Sequence, residues 1–479
     1  MRLYGGVRIV DRPCPRNVER LDSGAMPLIQ KMAERGLQVD LNHFAALEKT
    51  LTADMERVTE EVHQLTGYYV NLGSGDQVAD LLFKKLGLKQ ARPKLTSSGD
   101  RESVEDEVLT AIQHDHLAVP LCLNYKEYEK LRGTYVRPMP RLARRVGFGK
   151  WRMYPNFRTT RVPSGRLSCS DPNLLAMPTR TKRGRDIRRG FITDEGWAYV
   201  SVDESQIEVR IAAHRSQDPG LIAVYQNEED IYSDFATTAF SLKDKRYRSE
   251  SGEWKYPTVD PAHHRRPAKT CVLASIYDVT AGGLEEQMPV VCANCLKPTV
   301  CANCADGKPK DQHKCEKHTC SRFRPLWIEG KCQDLINAFY LKYKYLLRMR
   351  KADHQFMLRN AYICDMWGRM QHITAVRSVH PWVVNSALRE GCNLPMQGGA
   401  QGTIKIAMAA VNDDLEQGTL LEVVQPLLQV HDELVFECRE DLADDLISMV
   451  KYRFETLIPL NVPLKASGAK AASWGSLNK

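Results

Sequence analysis

From Leu427 to Phe436 the chain is rich in apolar, β-branched and aromatic residues around a centre where His431, Asp432 and Glu433 stand in a row. Flanks of this kind predict a hairpin or a bent strand pair, with the acidic residues at the turn. A solvated hairpin tip often carries such residues. Inside an apolar unit, however, neighbouring carboxylates repel and desolvate each other, and a bound cation is the charge that compensates them.

A second acidic strand end lies far upstream. Trp197 to Val202 reads as a buried strand after the Glu195-Gly196 turn, and it delivers Asp203 as a helix begins. Asp203 can be read as a helix cap, and Ser205 with Glu208 has the spacing of a capping box. Paired with Asp432, it can instead hold two hard divalent ions a few ångströms apart. In-line phosphoryl transfer needs that arrangement, one ion activating a hydroxyl and the other stabilising the leaving oxygen.

A third segment, Arg265 to Tyr277, spaces Lys269, Leu273 and Tyr277 four apart along one helical stripe. A triphosphate with its base needs such a surface, cations for phosphates and an apolar contact for sugar and base. An amphipathic helix with a snorkelling lysine has the same pattern. Pro267 fits only near a helix start, which predicts Arg265 at the amino end, where anions bind.

At 479 residues the chain is too long for one ordinary core, so two or three packed units sharing a cleft are expected. No apolar tract is long enough to span a membrane, and the first residues lack a signal peptide's apolar centre. A soluble, cytoplasmic protein without membrane partners is expected. The formal charge of +8 is modest, but positions 141 to 190 hold 14 Lys and Arg against only Asp171 and Asp186. Charge runs are often solvated loops; interleaved with Trp151, Tyr154 and Phe157, this one is also a candidate polyanion track.

Helical periodicity runs over 25 to 68 with breaks at Gly36 and Gly67, predicting two long helices. Residues 205 to 250, 265 to 288 and 331 to 363 also read as helical. Of the 14 cysteines, six fall between Cys292 and Cys320, which points away from a secreted disulfide framework and toward a metal site. Cys292, Cys295, Cys301, Cys304, His313, Cys315, His318 and Cys320 are candidate ligands for one or two structural zinc ions of unknown pairing.

Taken in order, the three segments resemble the polymerase motifs of family A, the polymerase I-type DNA polymerases. Two more pieces join them: Ser164-Gly165-Arg166-Leu167-Ser168 before Asp171-Pro172-Asn173-Leu174, and Arg389, Asn393 and Gln397 around an Asn-Leu-Pro-Met-Gln-Gly run. The resemblance extends from about residue 25 to Trp474-Gly475. It implies an α+β right-hand fold: an antiparallel-sheet palm (151–225 and 385–479), helical fingers (226–384, including a zinc-binding insertion at 285–330) and a helical thumb (25–150) after a leader (1–24). Two magnesium ions are implied on Asp203, Asp432 and the Glu204 carbonyl, assisted by Glu433. Arg265 and Lys269 would grip the triphosphate, with Lys269 serving the departing pyrophosphate. Leu273, Gln206, Tyr277 and Glu208 would complete the nucleotide site, the last two walling off the sugar's 2′ position. Arg166, Arg180, Arg389, Asn393, Gln397 and His431 would face primer-template DNA. Minor-groove acceptors are similarly placed for every base pair, so donors there sense geometry without reading sequence.

The chain departs from the family pattern at Leu273 (usually Phe or Tyr), Glu204 (Tyr), Tyr232 (His), Ala274 and Asp278 (Gly), and Leu175-Ala176 (Gln-Asn). About 24 residues precede the thumb-like helices, too few for a nuclease domain. Proofreading is therefore expected to be absent or supplied by a separate exonuclease, as suits a phage or other mobile replicon, and a monomer is expected. Two other readings stay open: a single-subunit RNA polymerase, against which Glu208 argues, and a catalytically inactive polymerase fold that binds nucleic acid.

Overall fold

The computed structural model describes residues 3–477 apart from 91–92, 97–98, 100, 114, 148, 180, 289, 293–313, 316–317, 320–322 and 326–328. At the centre, strands β1 (Trp197–Glu204), β2 (Val424–Val430), β3 (Glu433–Arg439) and β4 (Ala466–Ala471) form an antiparallel sheet in the order β2-β3-β1-β4. The register sets Val200 opposite Phe436, Val202 opposite Leu434 and Asp203 opposite Glu433. Side chains alternate across a strand, so Val200, Val202, Leu434 and Phe436 share one face while Tyr199, Ser201 and Val435 share the other. Both faces are buried, which explains why β1 reads as a continuous apolar run.

The first face packs against α1 (Pro15–Arg35) and the helices Asn393–Gln417 and Ala443–Thr456, through Leu28, Met32, Met408, Val411, Val450 and Phe454. α1 begins ten residues before the expected start at 25, and Val7 and Leu21 of the segment read as a leader are buried in the core that also holds Ile211 and Val272. Gly24 and Pro27 look like helix breakers, but packing overrides them. A Cβ on Gly24 would stand 3.5 Å from the Ala409 Cβ, an ordinary contact.

The second face joins α2 (Leu41–Thr66) and the helix Ala118–Lys130. The Asp40 carboxylate caps α2 by accepting from the N–H groups of Asn42 and His43, and Gly67 ends it at φ +76°. A third core, containing Ile211, Phe235, Val272, Ile276, Phe339 and Leu346, gathers α3 (Ile207–Ser216), Ile231–Ala239, α4 (Arg266–Ile276), Glu329–Lys342 and α5 (Lys344–Asn360).

Two helical expectations change here. Helix stops at Ala239, and residues 240–250 lead into a hairpin pairing Tyr247–Arg248 with Trp254–Lys255. Ser241 at φ +49° and Gly252 at φ +82° cannot continue a helix, and the Arg246 guanidinium anchors the segment on Glu229 and Asp234. The pattern over 331–363 divides at Tyr343, fully buried, whose hydroxyl donates to Asp234 at 3.2 Å.

α6 (Pro381–Gly391) leads into α7 (Asn393–Gln417), buried on almost every side. A Cβ on Gly398 would overlap the Asp365 carboxylate, on Gly399 would meet Ile211 at 2.9 Å, and on Gly402 would overlap the Trp367 indole. The Trp367 Nε1–H donates to the Gly399 carbonyl at 2.8 Å.

Asp365 accepts from the N–H groups of Trp367 and Arg369, but its Oδ2 is buried without a partner. Burial pushes its carboxyl up from 3.8 to about 6. A raised carboxyl value means the fold binds a proton more tightly than the unfolded chain, so this contribution is full below about pH 4 and is lost as pH rises through about 6. Asp365→Asn is expected to flatten stability across that window and to exceed the parent at pH 8 by on the order of 3 kcal/mol, two pKa units at ~1.4 kcal/mol each. Urea melts from pH 4 to 8 that run parallel for the two proteins would remove the assignment.

Among the described residues no helix is long and apolar enough to cross a membrane. Of the proposed zinc ligands, Cys295, Cys301, Cys304, His313 and Cys320 lie outside the described residues, and Cys292, Cys315 and His318 are described only as backbone of short strands.

Candidate active site

β2 and β3 are joined by only His431 and Asp432, since Val430 pairs directly with Glu433. So short a turn demands a left-handed residue, and His431 supplies it at φ +54°. The tip lies against the end of β1: the Glu204 N–H donates to the Asp432 carbonyl at 3.0 Å, and Asp203 faces Glu433 across the ladder. The two acidic segments expected to meet therefore do. Asp203, His431, Asp432 and Glu433 line one cavity of about 370 Å³, closed on its other side by Leu175 to Thr179, Thr181 and Arg188.

The charge around this cavity is strained in a particular direction. Glu433 accepts a hydrogen bond from Ser201. The Glu204 side chain is 3 % exposed, and neither of its oxygens has a hydrogen-bond partner. Burial first, then the nearby carboxylates of Asp432 and Asp203, hold its carboxyl well above the usual range. Arg188 is a cation the sequence did not single out among its basic neighbours. It donates to the Met177 carbonyl at 2.9 Å, stacks on Trp474 at 4.0 Å, and is pulled down to about 10 by burial.

Four more expected residues, from four separate segments, form a connected chain. The Arg166 Nη2 donates to Glu208 at 2.6 Å, and Tyr277 bonds to both Glu208 and Gln397. Burial, then the Glu208 charge, raises the Tyr277 hydroxyl well above its ordinary value. His431 links this chain to the cavity: burial lowers its imidazole, Arg166 and Arg188 lower it further, and Glu208 and Glu433 oppose them. Asn393 opens α7 one turn before Gln397; the Asp278 carboxyl, against the opposing effect of burial, is held low by His354 and Arg350, with Arg389 on α6 adding to them.

Lys269 and Leu273 lie on α4 and Tyr277 caps its end, but the start of the helix differs from expectation. A wide helical turn, Pro261–Arg265, precedes it without a break, capped by Asp260, whose carboxylate accepts from the N–H groups of Ala262 and His263. Pro267 is therefore inside a continuous helix, and Arg265 is not at an amino end. Arg265 instead makes a bidentate pair with Asp230 at 2.7 and 3.1 Å, and both Arg265 and Lys269 stand over the Tyr232 ring at 5.3 and 5.4 Å. Asp230 was missed because its role as the cap of Ile231–Ala239 hides the other. Lys269 is exposed, Leu273 half-buried, and Gln206, at φ +57°, accepts from the Tyr225 hydroxyl at 2.9 Å. Arg180 lies outside the described residues.

A four-stranded antiparallel sheet with carboxylates at one end, flanked by helical cores and facing a helix of cations, is the architecture of the nucleic-acid polymerases as a class. The chain belongs to DNA polymerase family A, whose sequence profile matches residues 41–297 and 327–476. It is 31% identical over 458 residues to a thermostable DNA polymerase I of Thermus thermophilus, covering 95% of this chain and 48% of that protein. It is 30% identical over 455 residues to a DNA polymerase I of Chloroflexus aurantiacus, covering 92% and 42%. The chain thus spans about half the length of the curated relatives it matches. Among solved structures it resembles the POL domain of Pol1 from M. smegmatis, in complex with DNA primer-template and dNTP, with a TM-score of 0.77 and 25% identity over 96% of this chain and 73% of that one.

Proposed function

We propose that the chain is a template-directed DNA polymerase, extending a primer 3′-hydroxyl with deoxynucleoside triphosphates and releasing pyrophosphate. The meeting of Asp203 and Asp432 at one cavity is the observation that supports this most strongly. In right-hand terms the sheet with α1, α7 and Ala443–Thr456 is the palm, α2 with Ala118–Lys130 the thumb, and the helices around α4 the fingers. The Cys292–Cys320 ligand set falls largely in the stretch between the two matched parts and is the proposed holder of one or two zinc ions.

The residues fit two magnesium ions. Asp203 and Asp432 are hard oxygen donors lining one cavity, and their two charges, after burial, are what hold the neighbouring Glu204 carboxyl up. When bound by Asp203, Asp432 and the Glu204 carbonyl, the ions lower the cost of ionising the attacking hydroxyl and of charge on the leaving oxygen. Arg265 and Lys269 present cations to the phosphates, and Lys269, exposed, can protonate the departing pyrophosphate. Tyr277 and Glu208, bonded to each other, form the wall under the sugar. Arg166 and Gln397, at the two ends of that chain of bonds, are placed to donate into the minor groove.

Leu273 offers neither a stacking ring nor a hydroxyl to replace a missing 3′ one, so poor use of dideoxynucleotides is expected. Leu273→Tyr should raise sensitivity to chain terminators by tenfold or more, on the order of 1.4 kcal/mol. A terminator series on one primer checks this, and equal sensitivity of the two enzymes would count against it. The function itself is tested by primer extension with magnesium on DNA and RNA templates, supplied with deoxy- or ribonucleotides. No extension on DNA by well-folded protein would overturn it.

A further inference from the structure

One residue beyond Tyr277, Asp278 takes φ +60°, a conformation that costs a non-glycine residue about 1 kcal/mol. Its carboxylate points toward α5, where the His354 Nε2 pairs with Oδ2 at 2.9 Å. The third member is Cys392, 0 % exposed, at the joint between α6 and α7. One oxygen, one nitrogen and one sulfur from these three residues all lie within 4.8 Å of one another. Among the described residues this is the one such group of three or more His, Cys, Asp and Glu side chains.

We propose that Asp278, His354 and Cys392 form a metal site for a divalent ion of the zinc class, separate from the carboxylate cavity and from the cysteine-rich insertion. The donor set decides the class. Imidazole and thiolate select a borderline ion over magnesium, and three ligands leave a fourth tetrahedral position for water. Two anionic ligands balance the charge of a divalent ion. Arg350, 2 % exposed, lies beside them. Such an ion ties the end of α4 to α5 and to the α6–α7 joint, behind both Tyr277 and Asn393.

The test uses the full chain. Parent, Asp278→Gly and Cys392→Ser are equilibrated in chelator-buffered zinc, freed of excess metal and analysed for zinc per chain. The insertion contributes equally to all three, so each variant is expected to hold one equivalent less than the parent. Glycine suits the φ of Asp278, so this variant keeps its fold, which circular dichroism checks. Cobalt substitution gives a second reading: Cys392→Ser should lose part of the thiolate-to-cobalt absorption of the parent. Equal zinc in all three proteins would overturn the proposal and leave an ion-pair network of Asp278, His354 and Arg350. Zinc content does not depend on polymerase activity, so failure here and failure of the proposed function are separately visible.

Discussion

Asp432→Ala is expected to lower primer extension by roughly a thousandfold or more while leaving primer-template affinity within a fewfold of the parent. A metal-held carboxylate at the reacting phosphate is worth several kcal/mol of charge stabilisation, and each ~1.4 kcal/mol is tenfold in rate. Binding of DNA rests on cations distributed elsewhere, so removing one anion does not weaken it. Asp441→Ala is the matched control, because Asp441 is an exposed residue paired with Arg439 on the surface. Single-turnover extension and a separate binding titration measure the two quantities. A loss smaller than about tenfold with intact DNA binding would show that Asp432 is not at the reacting phosphate, and the proposed chemistry would go with it.

The second large effect is expected at Glu208. Its carboxylate accepts from Arg166 and bonds to Tyr277, so Glu208→Ala leaves a half-buried hydroxyl and a guanidinium without their shared partner. Unpairing such groups costs about 1–3 kcal/mol and frees the tyrosine ring to move. The wall beneath the sugar then yields, and ribonucleotide use relative to deoxynucleotide use should rise about 10- to 100-fold. Glu208→Gln keeps the shape and an acceptor, and should fall between parent and alanine. Competition between a ribonucleotide and its deoxy counterpart on one template reads the ratio directly. An unchanged ratio in Glu208→Ala would place the sugar elsewhere.

Much of this site is legible in the chain because its parts obey local rules. A two-residue turn between apolar strands has to present its polar residues at the tip, and His431 and Asp432 are there. A spacing of four has to align Lys269, Leu273 and Tyr277 once that segment is helical. Other features depend on partners distant in sequence. Pro267 reads as a helix start until Asp260 is seen capping an earlier turn. Helical patterning alone cannot show that Arg265 pairs with Asp230, or that Arg188 differs from its basic neighbours by facing the cavity. The start of α1 was hidden for a related reason: Gly24 and Pro27 lower local helix preference, and burial of the helix against segments distant in sequence outweighs them. The Asp278, His354 and Cys392 group leaves no trace of ligand spacing, since its members come from three distant segments.

The glycines of α7 bear on how this protein could work as a machine. With Gly398 pressed on Asp365, Gly399 on Ile211 and Gly402 on Trp367, the helix can neither roll nor slip without driving backbone into side chains. Gln397, one residue before that stripe, therefore has a fixed address. Any travel needed to admit a nucleotide or advance along a template falls to the surrounding parts, measured against an axle that does not turn.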